Sequence, residues 1–173
     1  MMSTTPKRAN GQVGALCRLI SREKPEYLET GTGKSGCCYL TCLEYYLKNP
    51  GTELVPGWVI WEGPGIVEAE HHTVIRENGK LRDLTAPFDK EDKVLFLPDS
   101  DHPATFENGH FQSYENVIKK RREKFLKKPT HTENPLDFSL AVVGTPKMSE
   151  EIKQHFLSFP VDNYFSLKAI MIK

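Results

Sequence analysis

The first half of the chain carries two apolar patterns with helical spacing. In residues 37–51, cysteine, leucine and tyrosine recur at the spacing of one helix face, and Pro50 and Gly51 end the pattern. A shorter apolar stripe in residues 15–28 predicts another helix, which stops before Pro25. We therefore expect two helices before the sheet begins.

Beyond residue 51 the apolar pattern is that of a sheet. Asn78 and Gly79 separate two apolar stretches, and both residue types accept the positive φ angles of a tight hairpin turn. The sequence therefore predicts a β-hairpin at this turn. The four predicted strands are 54–62, 68–76, 80–85 and 93–98.

The second half of the chain is less regular. Residues 99–112 are rich in turn formers and predict a loop, whereas residues 113–128 predict a long helix. Together these elements predict an α+β domain whose antiparallel sheet is packed by helices. A strand, a helix and a further strand are predicted last, at 137–144, 149–159 and 164–172.

The composition is that of an ordinary globular protein. The 173 residues are 38% hydrophobic and 27% charged, and the zero net charge gives no bias toward nucleic acid or anionic lipid. We expect one domain over 15–173, with a C-terminal extension of unknown role, after a flexible segment at 1–14. No apolar run approaches the roughly 18 residues of a membrane span, and the N-terminus lacks a secretory signal. We therefore expect no membrane contact and a cytoplasmic location.

The four cysteines do not suggest a disulfide framework or a metal site. Cys37, Cys38 and Cys42 crowd into six positions, Cys17 stands apart, and no further pair completes a zinc pattern. Free thiols in a reducing compartment account for them, and we expect no metal or other cofactor. Because a free cysteine is often only a small buried residue, a chemical role requires partners.

The stretch ETGTGKSGCCYL, residues 29–40, suggests two unrelated kinds of chemistry. A phosphate-binding loop needs a glycine where this chain has Leu28, and it should follow a buried strand instead of the polar SREKPEY. A nucleotide-binding site is therefore the less favoured interpretation. In the favoured one, the glycines deliver a cysteine to the start of a helix, where free N–H groups and the helix dipole favour the reactive thiolate.

A reactive thiolate needs a histidine base and an acceptor that orients the imidazole, and the hairpin offers both. With a two-residue turn at Asn78 and Gly79, His72 and Asp83 are diagonal neighbours on one face, and His71 points to the other face. A three-residue turn with a bulge would shift the register by one and exchange the two histidines. We favour His72 as the base.

The order of these motifs resembles the papain-like cysteine hydrolases, and more narrowly small bacterial and phage proteins of that fold. The resemblance covers about residues 30–90. It implies an α+β fold in which a central antiparallel sheet packs against an N-terminal helix that bears the nucleophile. The matching stretches are CYLT at 38–41, VPGWVI at 55–60, HTV at 72–74 and DLT at 83–85.

Carried over residue by residue, the resemblance implies that Cys38 is the nucleophile, His72 the base and Asp83 the orienting acid. It implies a thiol protease, an amidase or an acyl transferase that acts on a peptide- or amide-containing substrate through a thioester. The backbone N–H of Cys38 would stabilise the oxyanion. Papain-like sites often add an upstream glutamine, and that neighbourhood here offers Thr32, Lys34 and Ser35.

The alternative hypothesis is a catalytically inactive papain-like scaffold. Residues 119–128, KKRREKFLKK, contain seven Lys or Arg and one Glu, a local net charge of +6, within the predicted helix 113–128. Such a basic helix would bind nucleic acid or an acidic partner protein, although a basic run is more often the solvated face of a helix. The reactivity of Cys38 separates the two hypotheses.

Overall fold

The computed structural model describes residues 4–33, 38–87, 91–103, 105–107, 110–120 and 131–135. Two helices and nine strands lie within these residues. In chain order they are α1 (Gly11–Ile20), β1 (Glu26–Glu29), α2 (Cys38–Lys48), β2 (Glu53–Gly63), β3 (Ile66–Glu77), β4 (Lys80–Arg82), β5 (Lys93–Pro98), β6 (Thr105–Glu107), β7 (His110–Tyr114), β8 (Val117–Lys120) and β9 (His131–Pro135).

Most of the strands form one antiparallel sheet. Its order is β1-β5-β2-β3-β4, and β8 also pairs with β3. The longest ladder joins β2 to β3 and runs from Glu53 opposite Arg76 to Gly63 opposite Ile66. A separate three-stranded sheet has the order β6-β7-β9. With two helices beside these sheets, the described residues form the α+β fold that the sequence predicts.

The hairpin between β3 and β4 has a two-residue turn. Asn78 and Gly79 have φ angles of 51° and 76°, and Glu77 lies opposite Lys80. Two positive φ angles are typical of a type I′ turn, whose twist matches that of the flanking strands. The unbulged register of the prediction is therefore confirmed, and the three-residue alternative is wrong.

The main sheet is buried on both faces. On one face, Trp58 and Ala69 pack against α1 residues such as Leu16. On the other face, Val59 and Phe96 belong to a second apolar cluster. Because successive side chains of a strand alternate between faces, the two consecutive histidines of β3 meet different surroundings.

Helix α2 lies along the outer edge of β3. Strands β4 and β8 pair with the two ends of β3, and α2 contacts the stretch between them. The Tyr39 hydroxyl donates to the carbonyl oxygen of His71 (3.1 Å), and the Cys42 thiol donates to that of Thr73 (3.2 Å). These side chains satisfy strand carbonyls as a neighbouring strand would, and they hold the start of α2, with Cys38, beside the two histidines.

The N-terminal segment is more ordered than the sequence suggests. Helix α1 begins at Gly11, inside the predicted flexible segment 1–14, and Val13 is buried. Earlier still, Thr4 and Glu62 exchange two backbone hydrogen bonds. The folded structure therefore extends across the predicted domain start.

The helix predicted ahead of Pro25 is confirmed as α1, but the strand that follows it is not predicted. Helix α1 ends at Ile20 because Ser21 is extended and its hydroxyl donates to the carbonyl oxygen of Pro98 (2.7 Å). Residues Glu26–Glu29 instead form β1, which pairs with β5 at the edge of the sheet. The pairing with β5, which no local pattern indicates, gives this polar stretch its structure.

The region after β5 contains strands where the sequence predicts a loop at 99–112 and a helix at 113–128. Strand β6 and most of β7 occupy the predicted loop, and β8 lies within the predicted helix. The helix is wrong over 117–120 because one end of β3 offers an edge for pairing. Val117 is buried against the α1 face whereas Ile118 is exposed, which is the alternation of a strand.

The remaining predictions lie outside the described residues. They comprise the elements at 137–144, 149–159 and 164–172 and residues 121–128 of the basic segment. Lys119 and Lys120, the first two residues of that segment, lie in β8 instead of a helix.

Candidate active site

The glycine-rich loop before α2 is fastened to the segment that follows β4. The Gly31 N–H donates to the carbonyl oxygen of Thr85 (3.1 Å). The Gly33 N–H donates to the carbonyl oxygen of Leu84 (2.9 Å). Position 31 requires glycine, since a Cβ there would lie 2.2 Å from the Leu84 carbonyl carbon. The loop therefore ties the approach to α2 to the segment that carries Asp83.

These hydrogen bonds argue against the nucleotide-binding interpretation. A phosphate-binding loop presents free backbone N–H groups to the phosphates. Those of Gly31 and Gly33 are instead bonded to carbonyl oxygens of the domain. Lys34 and Ser35 of the same motif lie outside the described residues.

His72 and Asp83 form a hydrogen-bonded pair, as the hairpin geometry predicts. His72 Nε2 donates to Asp83 Oδ2 at 3.1 Å, and the two side chains are only 12% and 3% exposed. Asp83 Oδ1 accepts hydrogen bonds from the Thr85 N–H (2.9 Å) and the Thr85 hydroxyl (2.8 Å). Thr85 thus fixes the carboxylate, and the carboxylate fixes the imidazole.

The pKa shifts of this pair favour the charged forms. Burial would lower the pKa of His72, but its charge interaction with Cys38 and its hydrogen bonds with Asp83 and Cys38 hold that pKa well above its usual value. Burial would raise the pKa of Asp83, but its hydrogen bond and charge interaction with His72, together with the bonds from Thr85, lower it. An imidazolium flanked by a carboxylate and a thiolate is the arrangement that a nucleophilic cysteine uses.

Cys38, His72 and Asp83 line one cavity of about 120 Å³. Cys38 is the first described residue of α2 and is 7% exposed, so its sulfur is approached through this cavity. Because Nε2 of His72 is bonded to Asp83, we infer that Nδ1 is the ring nitrogen that hydrogen bonds with Cys38. The other walls include Val59 and Glu70.

His71 belongs to a separate network. Its Nε2 donates to the carbonyl oxygen of His102 (2.7 Å), and its Nδ1 lies 2.7 Å from the Tyr39 hydroxyl. Its ring packs edge-on against Trp58, with 4.8 Å between centroids. Both ring nitrogens are therefore engaged elsewhere, and His72 is the histidine paired with the carboxylate.

The other described cysteines lack this environment. Burial is the main cause that raises the pKa of Cys17 to about 11. Burial, followed by the nearby charges of Cys38 and Asp83, raises the pKa of Cys42 well above its usual value. Both thiols are therefore held in their unreactive form. Cys37 lies outside the described residues.

The described residues contain no group of three or more His, Cys, Asp and Glu side chains suited to a metal ion.

Of the polar side chains considered for the oxyanion site, Thr32 is exposed. Lys34 and Ser35 are outside the described ranges.

Sequence reasoning misses three contributors to the site. Thr85 had a local signal, because an aspartate side chain commonly accepts a hydrogen bond from the backbone N–H two residues further on. Glu70 also had a local signal, since it precedes His72 by two residues and therefore lies on the same face of β3. Tyr39 had none, because its contact with His71 depends on how α2 packs against the sheet edge.

No protein-family model matches this chain, and neither a curated protein nor a solved structure matches it. Within the described residues, neither helix is long and apolar enough to cross a bilayer. The interpretation of function therefore depends on the geometry of the site.

Proposed function

We propose that this chain is a papain-like cysteine hydrolase or acyl transferase that acts on an amide or peptide bond. Cys38 is the nucleophile, His72 transfers protons and Asp83 orients His72. One observation above all supports this assignment: the 3.1 Å hydrogen bond from His72 to Asp83, in a cavity that is also lined by Cys38, the first described residue of α2. The antiparallel sheet with this helix at its side is also compatible with a papain-like arrangement.

The first half of the reaction forms a thioester. The Cys38 thiolate attacks the carbonyl carbon of the substrate, and backbone N–H groups at the start of α2 stabilise the resulting oxyanion. His72 donates its proton to the amide nitrogen as the C–N bond breaks, so that an amine departs and the acyl group stays on the sulfur. Asp83 keeps the imidazole in the required tautomer throughout.

The second half releases the acyl group. Neutral His72 takes a proton from water, or from another acceptor, as the oxygen or nitrogen of that molecule attacks the thioester carbon. The C–S bond breaks, which restores the thiolate of Cys38 and the imidazolium of His72. Water as the acceptor gives hydrolysis, and an amine or alcohol gives acyl transfer.

Hydrolysis of p-nitrophenyl acetate tests this chemistry without the natural substrate. We expect a burst of p-nitrophenol followed by steady turnover, with the acetyl group located on Cys38 by mass spectrometry. Cys38→Ala should abolish both phases, and His72→Ala should slow turnover by about 100-fold or more. Cys17→Ala removes a buried thiol from α1, away from the site, and should retain turnover. Equal turnover in the wild type and in Cys38→Ala would overturn the proposal.

The alternative is a catalytically inactive papain-like scaffold that binds a protein partner or nucleic acid through residues 119–128. The 7% exposure of Cys38 favours it, because a buried thiol is often only a packing residue. A scaffold would release p-nitrophenol without turnover, and to the same extent in the wild type and in His72→Ala. Retention of labelled RNA or DNA that falls with rising salt would then support the nucleic-acid form of this alternative.

A further inference from the structure

Glu70 lies in the same cavity as the proposed catalytic residues. It precedes His72 by two positions on β3, so both side chains leave the same face of the strand, roughly 6.5 Å apart. Val59, which pairs with Glu70 across the β2–β3 ladder, and Val94 of β5 add apolar walls to the cavity. A carboxylate thus lies on an apolar wall, within reach of an acyl group attached to Cys38.

Trp61 holds the Glu70 carboxylate in place. The indole Nε1–H donates to Glu70 Oε2 at 2.7 Å, diagonally across the β2–β3 ladder. This donor is neutral, so it does not itself compensate the charge of the carboxylate. Among the described residues, no lysine or arginine lines the cavity.

The charges of the residues that line the cavity also favour a cationic group. When Cys38 and His72 form a thiolate–imidazolium pair, their charges cancel. Among the described residues that line the cavity, Asp83 and Glu70 then contribute net negative charge, which attracts cations and repels anions. The charge of Asp83 is directed at His72, so Glu70 is the carboxylate that remains for a substrate.

We propose that this site selects acyl groups that carry an ammonium or guanidinium near the scissile carbonyl, and that Glu70 binds that cation. The inference rests on the proposed function, because it names the substrate class of the same site. Glu70 is a specificity residue, and the bond-breaking steps do not use it.

Two methanethiosulfonate reagents of similar size test this inference without a natural substrate. The 2-aminoethyl reagent is a cation and the 2-sulfonatoethyl reagent is an anion. Each converts the Cys38 thiolate to a mixed disulfide and releases methanesulfinate. The ratio of their rate constants, divided by the same ratio for free cysteine, cancels the intrinsic reactivity of the thiol and reports the potential at the sulfur.

We expect the wild-type ratio to favour the cation, and Glu70→Gln to lower it by about fivefold or more, given one charge within about 7 Å at an effective dielectric constant near 20. Glutamine keeps the shape of the side chain and its bond with Trp61. Glu68→Gln is the matched control because Glu68 lies one pleat further along β3, bonds to Asn116 and does not line the cavity. It should change the ratio by less than about twofold.

The outcomes separate this inference from the proposed function. If Glu70→Gln leaves the ratio unchanged, or if Glu68→Gln lowers it equally, the inference is overturned while the hydrolase proposal stands. In the wild type, added salt should bring the ratio of the cation and anion rate constants closer to that of free cysteine. A wild-type ratio that does not change with salt would also overturn the inference. If His72→Ala is modified as fast as the wild type by both reagents, the proposed function itself fails.

Discussion

His72 and Asp83 stand on opposite arms of a two-residue hairpin, and their side chains meet with 3.1 Å between Nε2 and Oδ2. The pairing of Glu77 with Lys80, continued along the ladder, makes them diagonal neighbours on one face. The turn at Asn78 and Gly79 therefore sets the distance between the proposed base and its orienting acid. A slip of one residue would turn one of the two side chains to the other face.

Replacing Cys38 by serine should lower the pKa of His72. Burial lowers that pKa, and the charge interaction with Cys38 contributes most to raising it. Titration of the imidazole signals by NMR measures the change. Cys17→Ala, which removes a distant thiol on α1, is the control and should leave the titration unaltered. Identical His72 titrations in the wild type and in Cys38→Ser would show that the sulfur does not interact with the imidazole.

Asp83→Asn should destabilise the fold by about 1–3 kcal/mol at neutral pH, because it weakens a buried network of charged hydrogen bonds. The pKa of Asp83 is lowered on folding, so its stabilising contribution is present above about pH 3.8 and is lost as the pH falls through the folded value. Urea unfolding over a pH series should therefore show that the free energy of unfolding falls less steeply at acidic pH in Asp83→Asn than in the wild type. We call this acidic fall of stability the acid limb.

Thr85→Val is the matched control for the acid limb. It removes the hydroxyl donor and keeps both the carboxylate and the backbone N–H bond. We expect a smaller loss of stability, about 1 kcal/mol, with the acid limb largely retained. Acid limbs of equal slope in the wild type and Asp83→Asn would contradict the linkage described for Asp83.

His71→Ala should lower the free energy of unfolding by about 2–4 kcal/mol and leave the titration of His72 nearly unchanged. His71 is buried and connects Tyr39 to the carbonyl oxygen of His102. Chemical denaturation and NMR titration of the same variant measure the two effects. Tyr39→Phe, which removes only the hydroxyl, should cost about 1 kcal/mol. A stable His71→Ala protein with an altered His72 titration would reassign His71 to the site.

Gly31→Ala should destabilise the fold by about 1–3 kcal/mol, because the added Cβ would overlap the Leu84 backbone. The loop would then have to move away from the segment that carries Asp83. Thr32→Ala alters the exposed neighbouring residue and should stay within about 0.5 kcal/mol of the wild type in denaturant unfolding. Equal stability of the two variants would show that the loop does not need this close approach.

The elements closest to the site could be predicted from the sequence, because their turn residues, apolar spacing and helix stop signals are consistent with one another. Asn78 and Gly79 require a type I′ turn, that turn sets the register, and the register places Asp83 beside His72. The helix of Cys38 is likewise predictable because its apolar spacing ends at a Pro-Gly stop.

The errors occur where a distant partner decides the structure. Residues 117–120 have helical propensity but pair with the open edge of β3, and Glu26–Glu29 pair with β5. No local pattern indicates a free edge, so propensity alone predicts a helix at 117–120 and misses the strand Glu26–Glu29. The positions of Tyr39 and His71 depend on packing in the same way, since helix and strand meet only in the folded domain.

Alkylation of Cys38 by iodoacetamide, followed residue by residue with mass spectrometry, measures whether Cys38 is an activated nucleophile paired with His72. We expect Cys38 to be labelled in buffer at about pH 6.5 ahead of Cys17, Cys37 and Cys42. We also expect His72→Ala to slow this labelling by about tenfold or more. Labelling of Cys38 that is no faster than that of the other thiols, or that is indifferent to His72, would contradict the proposed role of Cys38.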